Sequence, residues 1–156
     1  MAIEEGKPAP AFTLEDANGR SVSLADFSGK HVILYFYPKD DTPGCTKEAC
    51  GFRDAWKTLQ KLGAIVIGVS PDGGVSHQKF VAKYKLPFPL LSDPDKKLMT
   101  KYGAWGEKMM YGKQTIGVIR STVWIGPKGD VRKHWKRVAN AEAHPEQVLA
   151  ALQAEL

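Results

Sequence analysis

The chain has 156 residues, of which 43% are hydrophobic and 25% charged, an ordinary balance for one soluble domain with a full core. That balance excludes a disordered or fibrous protein, and two cysteines are too few for a disulfide scaffold, which points instead to catalysis or metal ligation in a reducing compartment. The formal charge of +5 raises nucleic acid as a partner.

Met1 to Pro8 carries no apolar signal core, and no apolar run reaches the ~20 residues that span a bilayer, which predicts a cytoplasmic protein with no membrane partner. Phe12 to Asp16 and Ser21 to Leu24 alternate around Asn18-Gly19, the signature of a β-hairpin. His31 to Tyr37 is a continuous apolar and aromatic run and reads as a buried strand; Thr42-Pro43-Gly44 is then a turn with proline just ahead of a helical pattern. From Cys45 to Leu62, the residues Phe52, Ala55, Trp56, Leu59 and Leu62 recur at spacings of three and four. This stretch is an amphipathic helix whose stripe faces a sheet and which Gly63 ends.

Ala64 to Ser70 reads as a second buried strand, followed by a helix over Val75 to Tyr84, a short strand at Phe88 to Leu91 and a helix over Asp95 to Tyr102. Gly103 to Gly117 has no clear period and reads as a long loop. Val118 to Ile125 and Val131 to Val138 are strands across Gly126 to Asp130, and Pro145 to Leu156 is a terminal helix. The order predicts a three-layer α/β domain over residues 1–156, with a central mixed sheet and an N-terminal β-hairpin.

The chemistry concentrates where the first long strand meets its helix. Cys45 falls at a helix start, where unpaired backbone N–H groups and the positive end of the helix dipole favour thiolate over thiol, so it is a candidate nucleophile. The histidines His31, His77, His134 and His144 are scattered, and none forms a ligand spacing with Cys45 and Cys50, which argues against a metal site. A dithiol–disulfide reductase would place its thiols at Cys-x-x-Cys, closer than these two, while a redox sensor stays a rival on the same residues. The basic run from Lys128 to Arg137 is the best case for a polyanion. In a strand, however, Arg132, His134 and Lys136 form a solvated face and Val131, Lys133 and Trp135 a partly covered one, so no nucleic-acid partner is expected.

Pro38-x-x-x-Thr42-x-x-Cys45 resembles the active-site motif of the peroxiredoxins, and Cys45 with Cys50 resembles the pair of the peroxiredoxin Q subfamily, also called bacterioferritin comigratory protein. Phe52-Arg53-Asp54, Ser92-Asp93-Pro94 and Arg120-Ser121-Thr122 extend the likeness over nearly the whole chain. The resemblance implies a thioredoxin-like fold and reduction of hydrogen peroxide and organic hydroperoxides by thiol chemistry, with no metal, haem or other cofactor. It implies a monomer re-reduced by thioredoxin or a glutaredoxin-like reductant. Carried over by position, Cys45 is the peroxidatic cysteine, Thr42 and Arg120 hold the peroxide, Pro38 shields the site, and Cys50 resolves it as an intramolecular disulfide.

Elementary chemistry bears on each role. Arg120 interrupts the apolar run from Val118 to Val123 and therefore needs a buried anionic partner. Thr42 either accepts a peroxide proton while donating toward the thiolate or caps the helix, and Pro38 ends the strand in either case. On an unbroken helix, Cα atoms five residues apart lie roughly 8.7 Å from each other and ~140° around the axis. A disulfide needs them within about 7 Å, so the first turns must unwind before Cys45 and Cys50 can bond. Gly44 and Gly51 either loosen this segment or permit close packing. Trp56 is expected in the core, while Trp105, Met109, Met110 and Tyr111 either line the substrate approach or pack a loop.

Overall fold

A computed structural model describes residues 3–110 and 112–156, with Met110 described by its backbone alone. Asn18-Gly19 turns the chain between β1 (Thr13–Asp16) and β2 (Ser21–Ser23), as the alternating pattern requires, with Gly19 at φ 76°. The apolar run gives β3 (His31–Phe36), buried at every position, and α1 (Pro43–Lys61) follows it after a short loop. Then come β4 (Ala64–Ser70), α2 (Gly74–Tyr84), β5 (Leu90–Ser92) and α3 (Lys97–Lys101). The chain continues through β6 (Trp105–Met110), β7 (Lys113–Val118), β8 (Ser121–Ile125) and β9 (Val131–Trp135) to α4 (His144–Glu155).

Seven strands form one mixed sheet in the order β2-β1-β5-β4-β3-β8-β9. β3, β4 and β5 run parallel, as βαβ crossovers demand, while β1, β8 and β9 join antiparallel. Odd-numbered side chains of β3 (Ile33 and Tyr35) pack with Phe52 and Leu59 of α1, Phe80 of α2 and Val148 and Leu152 of α4. The even-numbered side chains (Val32, Leu34 and Phe36) pack on the opposite face with Leu98 and Met99 of α3 and with Phe12. The sheet is thus the middle of three layers, and each of its fully buried large side chains contributes about 1.5–3 kcal/mol.

Three expectations are corrected. Residues 103–117 are not a structureless loop: β6 and β7 form an antiparallel hairpin from Trp105↔Val118 to Met110↔Lys113, turning through Gly112 at φ 78°. Lys113 to Ile116 are all exposed, so no alternation of buried and solvated positions reaches the sequence. The strand expected over Val118 to Ile125 is interrupted at Ile119 and Arg120, which lie between β7 and β8. Trp56 is only half-buried, at the rim of the core with Phe88.

The pairing of β3 with β8 positions the site. Phe36 lies opposite Ser121, so the residues that follow β3 and the residue that precedes β8 meet at one end of the sheet. α1 starts at that same end, outside the carboxyl ends of the parallel strands, where open α/β sheets leave a crevice.

Candidate active site

The residues that turn β3 into α1 leave the helix start open. Pro43 occupies the first turn, where its missing N–H costs nothing, and Thr42 is the N-cap residue with extended backbone. Thr42 does not cap with its side chain: its Oγ1 donates to the Lys39 carbonyl at 2.9 Å. The Thr46 N–H closes the first helical bond on Thr42 O at 2.8 Å, so the N–H groups of Gly44 and Cys45 precede the helix ladder at its positive end.

Cys45 is 1% exposed, one residue into this open turn. The Arg120 guanidinium reaches across from the start of β8, with Nη2 donating to Cys45 Sγ at 3.2 Å and Nη1 to Glu48 Oε1 at 2.7 Å. Glu48 follows Cys45 by three positions, which puts both on one face of α1. One rigid cation therefore serves two acidic groups, a geometry a fork of fixed donors suits and an ammonium does not. Gly44 makes the approach possible, since a Cβ there would lie 3.3 Å from Arg120 Nη2.

Burial sets the electrostatics. It lifts the fully buried Glu48 carboxyl to about 7, with the Arg120 charge and hydrogen bond opposing the rise. Burial works against the charge on Arg120 too, but Glu48 and Cys45 outweigh it and hold the guanidinium more firmly protonated. The Tyr35 phenol, fully buried on the same side of β3, is held far above its ordinary value by burial and then by the charges of Glu48 and Cys45. His144, at the start of α4, bonds Thr122 Oγ1 through Nε2 at 2.7 Å, and burial pushes it down to about 4.

Pro38 and Arg120 line an open cleft of about 770 Å³ together with Met109, Gln114, Ile119 and Arg137. Met109 thus faces the approach to the site, with 68% of its surface exposed. Trp105 is half-buried, with the Lys96 ammonium 5.4 Å from its ring centroid. Tyr111 and the Met110 side chain fall outside the described residues.

The structure brings Cys45, Arg120, Thr42 and Pro38 to one end of the sheet. It keeps Cys50 apart: both cysteines are unbonded on a helix unbroken from Pro43 to Lys61, and Cys50 is half-buried, five residues beyond Cys45. Gly51 marks a close approach, since a Cβ there would fall 2.6 Å from Pro145 Cγ of α4. Sequence reasoning missed Glu48. Its signal is a carboxylate on the apolar stripe that Cys45, Ala49 and Phe52 define, where an unpaired charge is not tolerated. Among the described residues, no group of three or more His, Cys, Asp or Glu side chains is placed to hold a metal ion, and no helix is long and apolar enough to cross a membrane.

Residues 6–134 match the AhpC/TSA family. The chain belongs to that family. Along 97% of its length this peroxiredoxin is 44% identical to peroxiredoxin Bcp of Bacillus subtilis, covering 96% of that protein. Among solved structures it resembles peroxiredoxin Q of Xanthomonas campestris, with a TM-score of 0.85 and 41% identity over 92% of this chain and 90% of the other. It also resembles the bacterioferritin comigratory protein of that organism, whose structures concern alkyl peroxide reduction, with a TM-score of 0.88 and 38% identity over 97% of this chain and 99% of the other. The expected peroxiredoxin resemblance and thioredoxin-like fold are borne out over almost the full chain, and the activity of the family is thiol-dependent peroxide reduction.

Proposed function

We propose that the chain reduces hydrogen peroxide and organic hydroperoxides through Cys45 and Cys50. The observation that carries this reading is the Arg120 guanidinium donating to the sulfur of Cys45 at an open helix start. The Cys45 thiolate attacks the terminal peroxide oxygen and the O–O bond breaks. The sulfur keeps the hydroxyl as a sulfenic acid, and the departing oxygen leaves as alkoxide or hydroxide and takes a proton from solvent. Arg120 supplies a permanent charge where negative charge grows on that leaving oxygen, and Thr42 Oγ1, close to its resting bond with Lys39, turns to hold the peroxide. Pro38, at the rim of the cleft, limits water around the thiolate.

The Cys50 thiol then displaces water from the sulfenic acid to give an intramolecular disulfide. The unbroken helix puts the two Cα atoms roughly 8.7 Å apart, so the first turns of α1 unwind before this bond forms. A dithiol reductant, thioredoxin in our reading, returns the pair to the thiol state. We place the protein in the cytoplasm as a single-domain monomer, since a reducing compartment keeps both thiols free between turnovers.

The test is peroxide consumption with thioredoxin, its reductase and a reduced nicotinamide. The parent should turn over hydrogen peroxide and an alkyl hydroperoxide, and Cys45→Ser should turn over neither. A parent no faster than free cysteine would end the peroxidase reading.

A further inference from the structure

A buried polar cluster lies under the loop from β3 to α1, and the peroxide chemistry described above does not use it. Asp40 is 7% exposed, and His77, on the first turn of α2, is fully buried. Asp40 Oδ1 accepts from the Tyr37 hydroxyl. Oδ2 accepts from Ser76 Oγ at 2.8 Å and faces His77 Nδ1 at 2.7 Å. The Asp40 N–H donates to Asp72 Oδ2 at 2.8 Å, and the Ser70 hydroxyl donates to that same oxygen. His77 Nε2 faces the Leu91 carbonyl of β5 at 3.1 Å. Both ring nitrogens thus face acceptors, so the doubly protonated ring makes both bonds and the neutral ring only one.

The next residue is held as well. Asp41 has φ 58°, a left-handed conformation that costs a non-glycine residue about 1–2 kcal/mol and persists only where the surroundings enforce it. Lys83 Nζ and the Tyr84 hydroxyl, at the other end of α2, hold its carboxylate at 2.8 and 2.9 Å. The loop that begins at Pro38 and ends at Thr42 is therefore fastened to α2 at two points. It is not fastened by these bonds to α1, the helix that unwinds.

We propose that Asp40 and His77 are positioning residues for the peroxide step. The pair fixes the backbone of the loop so that Thr42 and Pro38 stay in place over Cys45, including while the first turns of α1 open. This rests on the role given to Thr42 and Cys45 under the proposed function.

The experiment separates the two ring nitrogens. His77→Asn keeps a donor near the Nδ1 position, toward Asp40; His77→Gln moves it toward the Nε2 position and Leu91. For each variant two rates are read: oxidation of Cys45 by hydrogen peroxide, and alkylation of Cys45 by iodoacetamide followed by peptide mass. Alkylation needs the thiolate but not Thr42. His77→Asn should oxidise within about threefold of the parent, and His77→Gln about tenfold more slowly or worse, since misplacing a group that orients substrate by ~1 Å costs up to about a hundredfold. Alkylation should stay within about twofold in both variants, because neither change touches the Arg120 contact.

If His77→Gln does not fold, Ser76→Ala removes another donor from the same Asp40 oxygen and should slow oxidation about threefold, again with alkylation unchanged. Equal oxidation in all variants, oxidation and alkylation falling together, or glutamine outperforming asparagine would each overturn the proposal. A parent that oxidises no faster than free cysteine would instead overturn the proposed function, so the two failures are distinguishable.

Discussion

Replacing Glu48 by glutamine should change how stability depends on pH, by an amount the structure sets. Glu48 is fully buried, and burial raises its carboxyl from the ordinary 4.5 to about 7. At 1.36 kcal/mol per pH unit, that difference is worth about 3 kcal/mol. Because the folded value lies above the unfolded one, the folded protein binds more protons between the two. The associated stability is complete below pH 4.5 and is lost as pH rises through about 7. Glu48→Gln keeps an amide oxygen to accept from Arg120 but never ionises.

The unfolding free energy of the variant minus that of the parent should therefore climb by about 3 kcal/mol from about pH 4.5 to about pH 8. His144 acts in the opposite sense. Held down at about 4 by burial, against an ordinary 6.5, it contributes stability that is present above 6.5 and lost as pH falls through 4. That contribution is common to both proteins and cancels in the difference. Urea unfolding across this range, with reductant present so that both cysteines stay free, gives the two curves. A difference that is flat with pH would refute the reading that burial outweighs the Arg120 charge at this carboxyl.

Two further outcomes follow from the contacts that α1 makes. Arg120→Lys should lower the second-order rate of peroxide consumption about 10²- to 10³-fold in stopped-flow, since a single ammonium cannot serve Glu48 and Cys45 together; a loss below about threefold would count against the shared fork. Gly51→Ala should lower the unfolding free energy by a net of about 1 kcal/mol, read as a lower urea midpoint at unchanged slope, because overpacking against Pro145 outweighs the ~1 kcal/mol that alanine gains in a helix; a stabilised variant would mean that α1 and α4 yield at this contact.

The sequence made some elements plain and hid others for physical reasons. β3, β4 and α1 were legible because their burial imposes long apolar runs or a 3.6-residue stripe, and because Pro43 and Gly63 punctuate them. The β6–β7 hairpin was not: it is solvated along most of β7, so no face selects apolar residues. Arg120 stood out as a cation in an apolar run, yet its partner did not. Glu48 lies 72 residues away, and only the register of β3 against β8 brings the two together. The Asp40–His77 contact, across 37 residues, was hidden in the same way. Thr42 was left between cap and ligand, and its hydroxyl bonds Lys39 instead of the helix.

The most direct test of the account is intact mass after one equivalent of hydrogen peroxide, on the reduced protein and on Cys50→Ser. The parent should lose two hydrogens within the time the peroxide disappears, as a Cys45–Cys50 disulfide forms on an unwound helix start. The variant should gain one oxygen on Cys45. An oxygen gained on the parent without loss of the two hydrogens would contradict resolution by Cys50, and no change in mass while peroxide persists would contradict the peroxidase itself.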